Sequence, residues 1–397
     1  MIAGREVGET MTSSRGERVR ARRAVYRARR LWVFGSLAAV IVLAAGGVFT
    51  AMALAQSAGS GPTAQAEPAA SESATPIPEE TPLTPAQTLL ASTTDPQACA
   101  VQFTGDAIAQ DPVLQTQGAL YSGLPIPRAE GKVFAGWYAS DADAAALTAA
   151  ARVNGSDAVS CVDRQVTLLG AWTTPDVNAA EDAGIPILMY HQFTANPEGE
   201  NNSLKLNYAY IGDFDAQMAY IASSGFYLPT WDELSAFIDG ALFLPEHSVI
   251  VTDDDAHQTW LELAAPVVEK YKVMTTSFVI TKWRTEGTPN PYVLQRSHTQ
   301  DMHEAGENGK GRMVNWTADQ IAADLEQSAQ ILGAKEVVAY PFGHYNDTTK
   351  QGVAQAGFEM GRTIEQGYVR IGTDKLALPC IRINYGMTVD DLAGLIG

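Results

Sequence analysis

The hydrophobic rhythm of the chain changes three times. Residues 31-LWVFGSLAAVIVLAAGGVFTAMALA-55 carry no charge over 25 positions. That is long enough to span a bilayer as a helix. The next stretch, 56-QSAGSGPTAQAEPAASESATPIPEETPLTPAQ-87, offers almost nothing to bury. Such a composition cannot offset the entropy of ordering, so residues 56–95 are expected to form a disordered linker. Between 96 and 177, short alternating runs are broken by Gly and Pro, as in 100-AVQFTG-105 and 165-QVTLLGAWTT-174. This predicts a small β-rich module of hairpins and bulges, with Trp137 and Trp172 anchoring a thin core.

From 178 onward, apolar strands alternate with helical stretches. Strands are predicted over 185–191, 248–255, 272–281 and 336–343. Helices are predicted over 213–226, 231–240, 258–271, 317–333 and 347–357, and two more strands close the chain. Gly225 and Gly240 supply helix stops, and Thr317 supplies a cap. The alternation predicts an α/β domain over 178–397 with a buried parallel sheet. Its polar clusters fall at strand C-terminal ends, where barrels and open α/β folds place their sites.

Charge sharpens this picture. The chain holds 27 Lys+Arg against 45 Asp+Glu, a net charge of -18. Residues 1–55 contribute +6, which leaves the remainder at -24. No basic stripe follows residue 30, so a nucleic-acid partner is excluded. An acidic body also repels acidic polymers, and a neutral polymer suits it better. The basic tail, residues 1–30, should stay in the cytoplasm and send everything after residue 55 outside the cell membrane. Cleavage near Ala55 would instead secrete the protein. In an oxidising compartment Cys99 and Cys161 can pair, the alternative being two buried thiols. Closing a loop of that length adds about 3–5 kcal/mol on entropic grounds. Cys380 reads as core filler.

Three strand ends carry chemistry. The first is Asp253, Asp254 and Asp255, where adjacent like charges repel. They mark either a solvated turn or a cation site with a carboxylate base beside it. The second is 297-SHTQDMH-303, with His298 and His303 five apart. The third is 340-YPFGHY-345. One Asp and two His match a facial set of N and O ligands around a divalent ion.

Residues 185–397 resemble the polysaccharide deacetylases, the NodB-homology or carbohydrate esterase family 4 domain. The resemblance rests on 252-TDDDA-256, the His298–His303 pair, 340-YPFG-343 and the opening 185-IPILMYH-191. It implies a distorted (β/α)7 barrel. It also implies that Asp255, His298 and His303 hold zinc, or Co2+, Mn2+ or Ni2+, with Asp254 as base and a backbone N–H near Phe342 holding the oxyanion. Residues 99–174 resemble the Listeria–Bacteroides surface repeat, also called the internalin B repeat, through Val101–Phe103, Pro125–Pro127, Gly131–Tyr138 and Thr167–Trp172. That implies a β-grasp-like spacer or adhesive unit touching the cell wall.

Three positions depart from the deacetylase pattern. Ala339 stands where many members carry an Arg that orients the base. Ala256 replaces a Gly. No His follows His344, so the usual late proton donor is missing, with His191 and His344 as the remaining candidates. The expected activity is metal-dependent N-deacetylation of an N-acetylglucosamine-containing surface polysaccharide. The competing expectation is a catalytically weak cell-wall binding or adhesion protein.

Overall fold

Fourteen strands and the helices between them make up the computed structural model, which describes residues 82–284 and 289–397. The basic tail 1–30, the apolar segment 31–55 and most of the expected linker lie outside those residues. Among the described residues no helix is long and apolar enough to cross a membrane.

The linker expectation for 56–95 needs correction at its end. Pro85–Ala91 is a helix. Thr84 caps it with a full capping box closed by Gln87, and Pro85 sits in the first turn, where its missing N–H costs nothing. Ala86 is buried, and the helix packs on the β-rich module. A composition average conceals such local signals.

The first sheet contains β1 (Ala98–Thr104), β2 (Val113–Thr116), β3 (Val133–Tyr138), β4 (Arg152–Val153) and β5 (Gln165–Thr173). Their order is β2-β1-β5-β3-β4, with β1 and β5 parallel and the other pairs antiparallel. Cys99 and Cys161 form a disulfide across this module. Trp137 is buried against Phe103 and Phe134, as its place in a thin core requires.

The second sheet closes on itself. It contains β6 (Ile187–Tyr190), β9 (Ile250–Asp254), β10 (Thr275–Val279), β11 (Val293–Ser297), β12 (Val337–Ala339), β13 (Met360–Gln366) and β14 (Leu378–Arg382). All seven neighbouring pairs are parallel. The near-continuous apolar runs thus have their expected cause, burial on both faces. Two short strands, β7 (Gln192–Thr194) and β8 (Tyr208–Tyr210), pair beside the barrel.

The two parts pack together within one compact unit, Glu79–Gly397. One hydrophobic cluster joins Phe134, Trp137 and Leu168 to Ile187, Ile250, Val337 and Met360, the first residues of four barrel strands. The β-rich module therefore lies at the N-terminal end of the barrel. Main-chain bonds reinforce the contact: Phe134 N–H donates to Ala241 O at 3.2 Å, and Phe243 N–H to Phe134 O at 2.8 Å. Arg152 is buried there, donating to Glu233 at 2.9 Å and lying 4.4 Å from the Tyr227 ring centroid.

Candidate active site and metal centre

The site forms at the opposite, C-terminal end of the strands. β9 delivers the three aspartates, and the pleat separates them. Asp253 is fully buried and accepts from the Ser277 hydroxyl at 3.1 Å. Burial, and then the charges of Asp254 and Asp255, push its carboxyl well above the usual range. Both effects disfavour its charged form and so ease the repulsion among the three carboxylates.

Asp254 is buried on the other face of the strand and accepts from Arg362 Nη2. Burial alone would raise its pKa, but Arg362 foremost, then His191 and His298, hold it below the usual range. Arg362 is itself fully buried, 5.3 Å from the Phe278 ring centroid, and donates to Thr363 O at 3.1 Å. It sits on β13 in register with Ala339 of β12. The Arg missing at Ala339 is thus replaced by one directly across the ladder. Sequence reading missed Arg362, although a single Arg inside the strand text 360-MGRTIEQ-366 was a signal.

Asp255 turns away from the strand with φ +74°, followed by Ala256 at φ +46°. Both are left-handed, and the second is where a Gly would have been easier. The turn brings Asp255 to the histidines. His298 Nε2 and His303 Nε2 lie 3.3 and 3.2 Å from Asp255 Oδ1. Burial opposes ionisation of Asp255, but His298 and His303 outweigh it and hold its carboxyl far below the usual range.

Four residues separate the two histidines, so a special turn must join them. Thr299 adopts φ +72°, and its backbone N–H donates to Ser297 Oγ at 3.0 Å. Asp324, buried on the helix Ala318–Leu332, accepts from the Gln300 and Asp301 N–H groups at 2.8 and 2.7 Å. Asp324 was also unforeseen; its signal was an acid on the apolar face of that helix.

The donor set suits a divalent cation. One ligand atom each from Asp255, His298 and His303 lies within 4.8 Å of the others. His298 Nδ1–H donates to Ala339 O at 2.9 Å, which leaves Nε2 as the free lone pair. Asp255 Oδ1 is buried without a hydrogen bond of proper geometry, although both Nε2 atoms are near. Three ligand atoms this close together, one of them buried without a hydrogen bond, are what an ion would satisfy.

The two candidate proton donors separate. His191 follows β6, and its Nε2 lies 3.7 Å from Asp254 Oδ2. Burial lowers its pKa, against the pull of Asp254 and Asp255. His344 instead ties loops together, its Nδ1 accepting from Gly311 N–H at 2.9 Å. Its described side-chain contacts are with Gly311 and Phe342, not with Asp254 or Asp255. Phe342 holds a left-handed backbone, φ +59°, with its ring centroid 4.4 Å from that of His303.

Residues 244–361 match the sequence model of the polysaccharide deacetylase family. The barrel is similar to a polysaccharide deacetylase domain of NodB type. The matched segment contains Asp254, Asp255, His298, His303 and Phe342. A poly-beta-1,6-N-acetyl-D-glucosamine N-deacetylase of Staphylococcus aureus is 25% identical over 213 residues, covering 48% of this chain and 71% of the relative. Among solved structures, the Streptococcus pyogenes deacetylase PplD, in complex with acetate, has 24% identity and a TM-score of 0.47, covering 54% of this chain and 99% of that one. IcaB from Ammonifex degensii has 21% identity and a TM-score of 0.45, covering 54% and 97%.

Proposed function

We propose that this deacetylase domain removes N-acetyl groups from an N-acetylglucosamine-containing cell-surface polysaccharide in a metal-dependent reaction. The observation that carries the reading is the juxtaposition of two differently tuned carboxylates. Asp255 faces two imidazoles, while Asp254, one residue earlier, is held ionised by buried Arg362. Asp255, His298 and His303 would hold the ion, zinc being the best match to two imidazoles and a carboxylate. Such an ion supplies a lowered pKa to water and polarises a carbonyl.

The chain's own residues do the rest. Asp254 accepts the proton of the attacking water. Oxygen adds to the acetamide carbon, and the Phe342 N–H steadies the negative oxygen that results. The C–N bond then breaks. His191, beside Asp254, hands a proton to the departing amine, so that acetate and an amino sugar are formed. Arg362 positions Asp254 and keeps it charged.

For residues 96–177 we infer a β-grasp-like spacer; the sheet order and its parallel central pair support this, and the surface-repeat resemblance rests on sequence alone. Docking at the barrel's closed end supports a structural role over an adhesive one. We also place the domain outside the cell membrane, on the strength of residues 15–55 alone.

The test is acetate release from N-acetylglucosamine oligomers by the purified protein. Release should stop on chelation and return with zinc. Oligomer binding without acetate release would replace this reading with that of a binding protein.

A further inference from the structure

A hollow lies apart from the catalytic cluster, where the helix Ala318–Leu332 meets the loop that carries the histidines. Its volume is about 310 Å³, at the small end of the range for ligand sites. Trp316 forms one wall. Gln320, Ala323, Asp324 and Gln327 recur at i, i+3, i+4 and i+7, so one stripe of the helix forms the next. Gln300 and Asp301 of the loop complete it. None of these residues holds the ion or moves a proton in the chemistry above.

The lining is polar, but its charges are already engaged. Asp301 pairs with Lys282 and Arg312. Asp324 accepts two backbone N–H groups. A cation finds both carboxylates taken, and an anion meets two negative groups. The amides are less committed. Gln320 Oε1 accepts from the Thr317 N–H at 3.0 Å, while its Nε2 has no hydrogen bond among the described residues. Gln327 Nε2 donates to Ala323 O at 3.3 Å, which leaves its carbonyl oxygen. Gln300 Oε1 is buried without a partner. The last torsion of a glutamine is soft, so a donor in the hollow would draw that oxygen round. Trp316 is fixed in place. It packs against the cluster that holds Met302 and Met313, and the Arg312 guanidinium lies 5.7 Å from its ring centroid.

We propose that this hollow binds one neutral sugar unit of a glycan, away from the unit being cut. A pyranose offers an apolar face of C–H groups to a flat ring, and a rim of hydroxyl and acetamide groups to amide side chains. Trp316 supplies the ring. Gln300, Gln320 and Gln327 supply donors and acceptors. Ala323, the smallest residue on the stripe, leaves the room. The choice of glycan rests on the deacetylase reading, which this site deepens by giving the polymer a second hold. The acidic body offers no long-range pull on a neutral chain. Affinity must come from contact, and two contacts on one chain reinforce each other through effective concentration.

The indole N–H resonance of Trp316, assigned through Trp316→Phe, reports occupancy in the whole protein. The protein is chelated so that nothing is cut during the titration. The resonance should shift saturably with the N-acetylglucosamine pentamer. Ala323→Leu fills the hollow and keeps a strong helix former on the helix surface. Its Kd from this shift should rise about tenfold or more, equivalent to about 1.4 kcal/mol. Gln327→Leu removes one amide from the rim and should weaken binding as well, which covers the case in which Ala323→Leu does not fold. A Trp316 resonance that the pentamer does not move overturns the site. So does a Kd left unchanged by both variants. Acetate release by the metal-loaded protein, measured in parallel, judges the deacetylase reading separately. Pentamer binding at Trp316 without acetate release would support the site and sink the reading beneath it.

Discussion

Replacing Arg362 by Met leaves Asp254 buried with its cation gone. In the native protein Asp254 sits below the usual carboxylate range, because Arg362 and the nearby histidines outweigh burial. A lowered native pKa means that ionised Asp254 stabilises the fold above the unfolded carboxylate value, about 4, and that this is lost as pH falls through the native value. In Arg362→Met the burial remains, so the native pKa rises above the unfolded one and the sign reverses. The variant's Asp254 is then neutral in the fold and must be ionised at a cost as pH rises. The stability gap between wild type and variant should therefore widen between about pH 5 and pH 8. Breaking a buried pair costs about 3–5 kcal/mol, which sets the gap expected at the upper end. Urea unfolding of the chelated protein at both pH values measures it. The acid limb of the kcat/KM profile should move to higher pH too. Below the limb, activity should then fall about tenfold for every pH unit the limb moves. A gap that stays flat with pH, or an unmoved limb, would refute the pairing of Arg362 with the base.

Other expectations follow from single contacts. Asp255→Asn should lower zinc affinity by more than about 100-fold, since supporting residues alone are worth that much; undiminished binding in equilibrium dialysis would dismiss Asp255 as a ligand. His191→Asn should slow amide cleavage by about 10²–10⁴-fold yet spare 4-nitrophenyl acetate, whose leaving group needs no proton. Equal losses on both substrates would remove His191 as donor. Gly343→Ala combines φ +69° with a Cβ 2.3 Å from Ile364 Cγ1, and should cost about 2–4 kcal/mol in chemical denaturation; a change near zero would contradict the tight packing under Phe342. Residues 178–397 alone should unfold at lower urea than the whole protein and bind a hydrophobic dye, because the apolar ends of β6, β9, β12 and β13 lose their cover. An unchanged midpoint would show that the β-rich module is dispensable.

Much of the barrel was legible because its strands are buried on both faces and its helices carry their own caps. Thr317 starts a helix as expected. The strand 272–281 contracts to Thr275–Val279, since its ends pass into turns. β11 and the closing helix Val389–Ile396 were not foreseen: Val293–Ser297 is short and half polar, and the helix relies on an Asp391 capping box near the end of the chain. The cluster residues were legible as types, since Asp and His at strand ends are few. Their supports were not. Arg362 and Asp324 act across the barrel wall, 108 and 24 residues from the groups they hold, and no local pattern links such partners. The helix Pro85–Ala91 was hidden because the composition around it outweighs its capping chemistry.

The barrel is plugged as well as docked. Met189, Phe278, Arg362 and Cys380 are all fully or almost fully buried beneath the aspartates, and the β-rich module lies across the far end. Packed side chains therefore lie between the aspartates and the far end of the barrel. On the deacetylase reading, acetate must leave through the same opening that holds the sugar chain, so traffic at the mouth is two-way. A glycan held too tightly at that opening would block the exit of the acetate cut from it, and turnover would then be set by how readily the chain lifts or shifts.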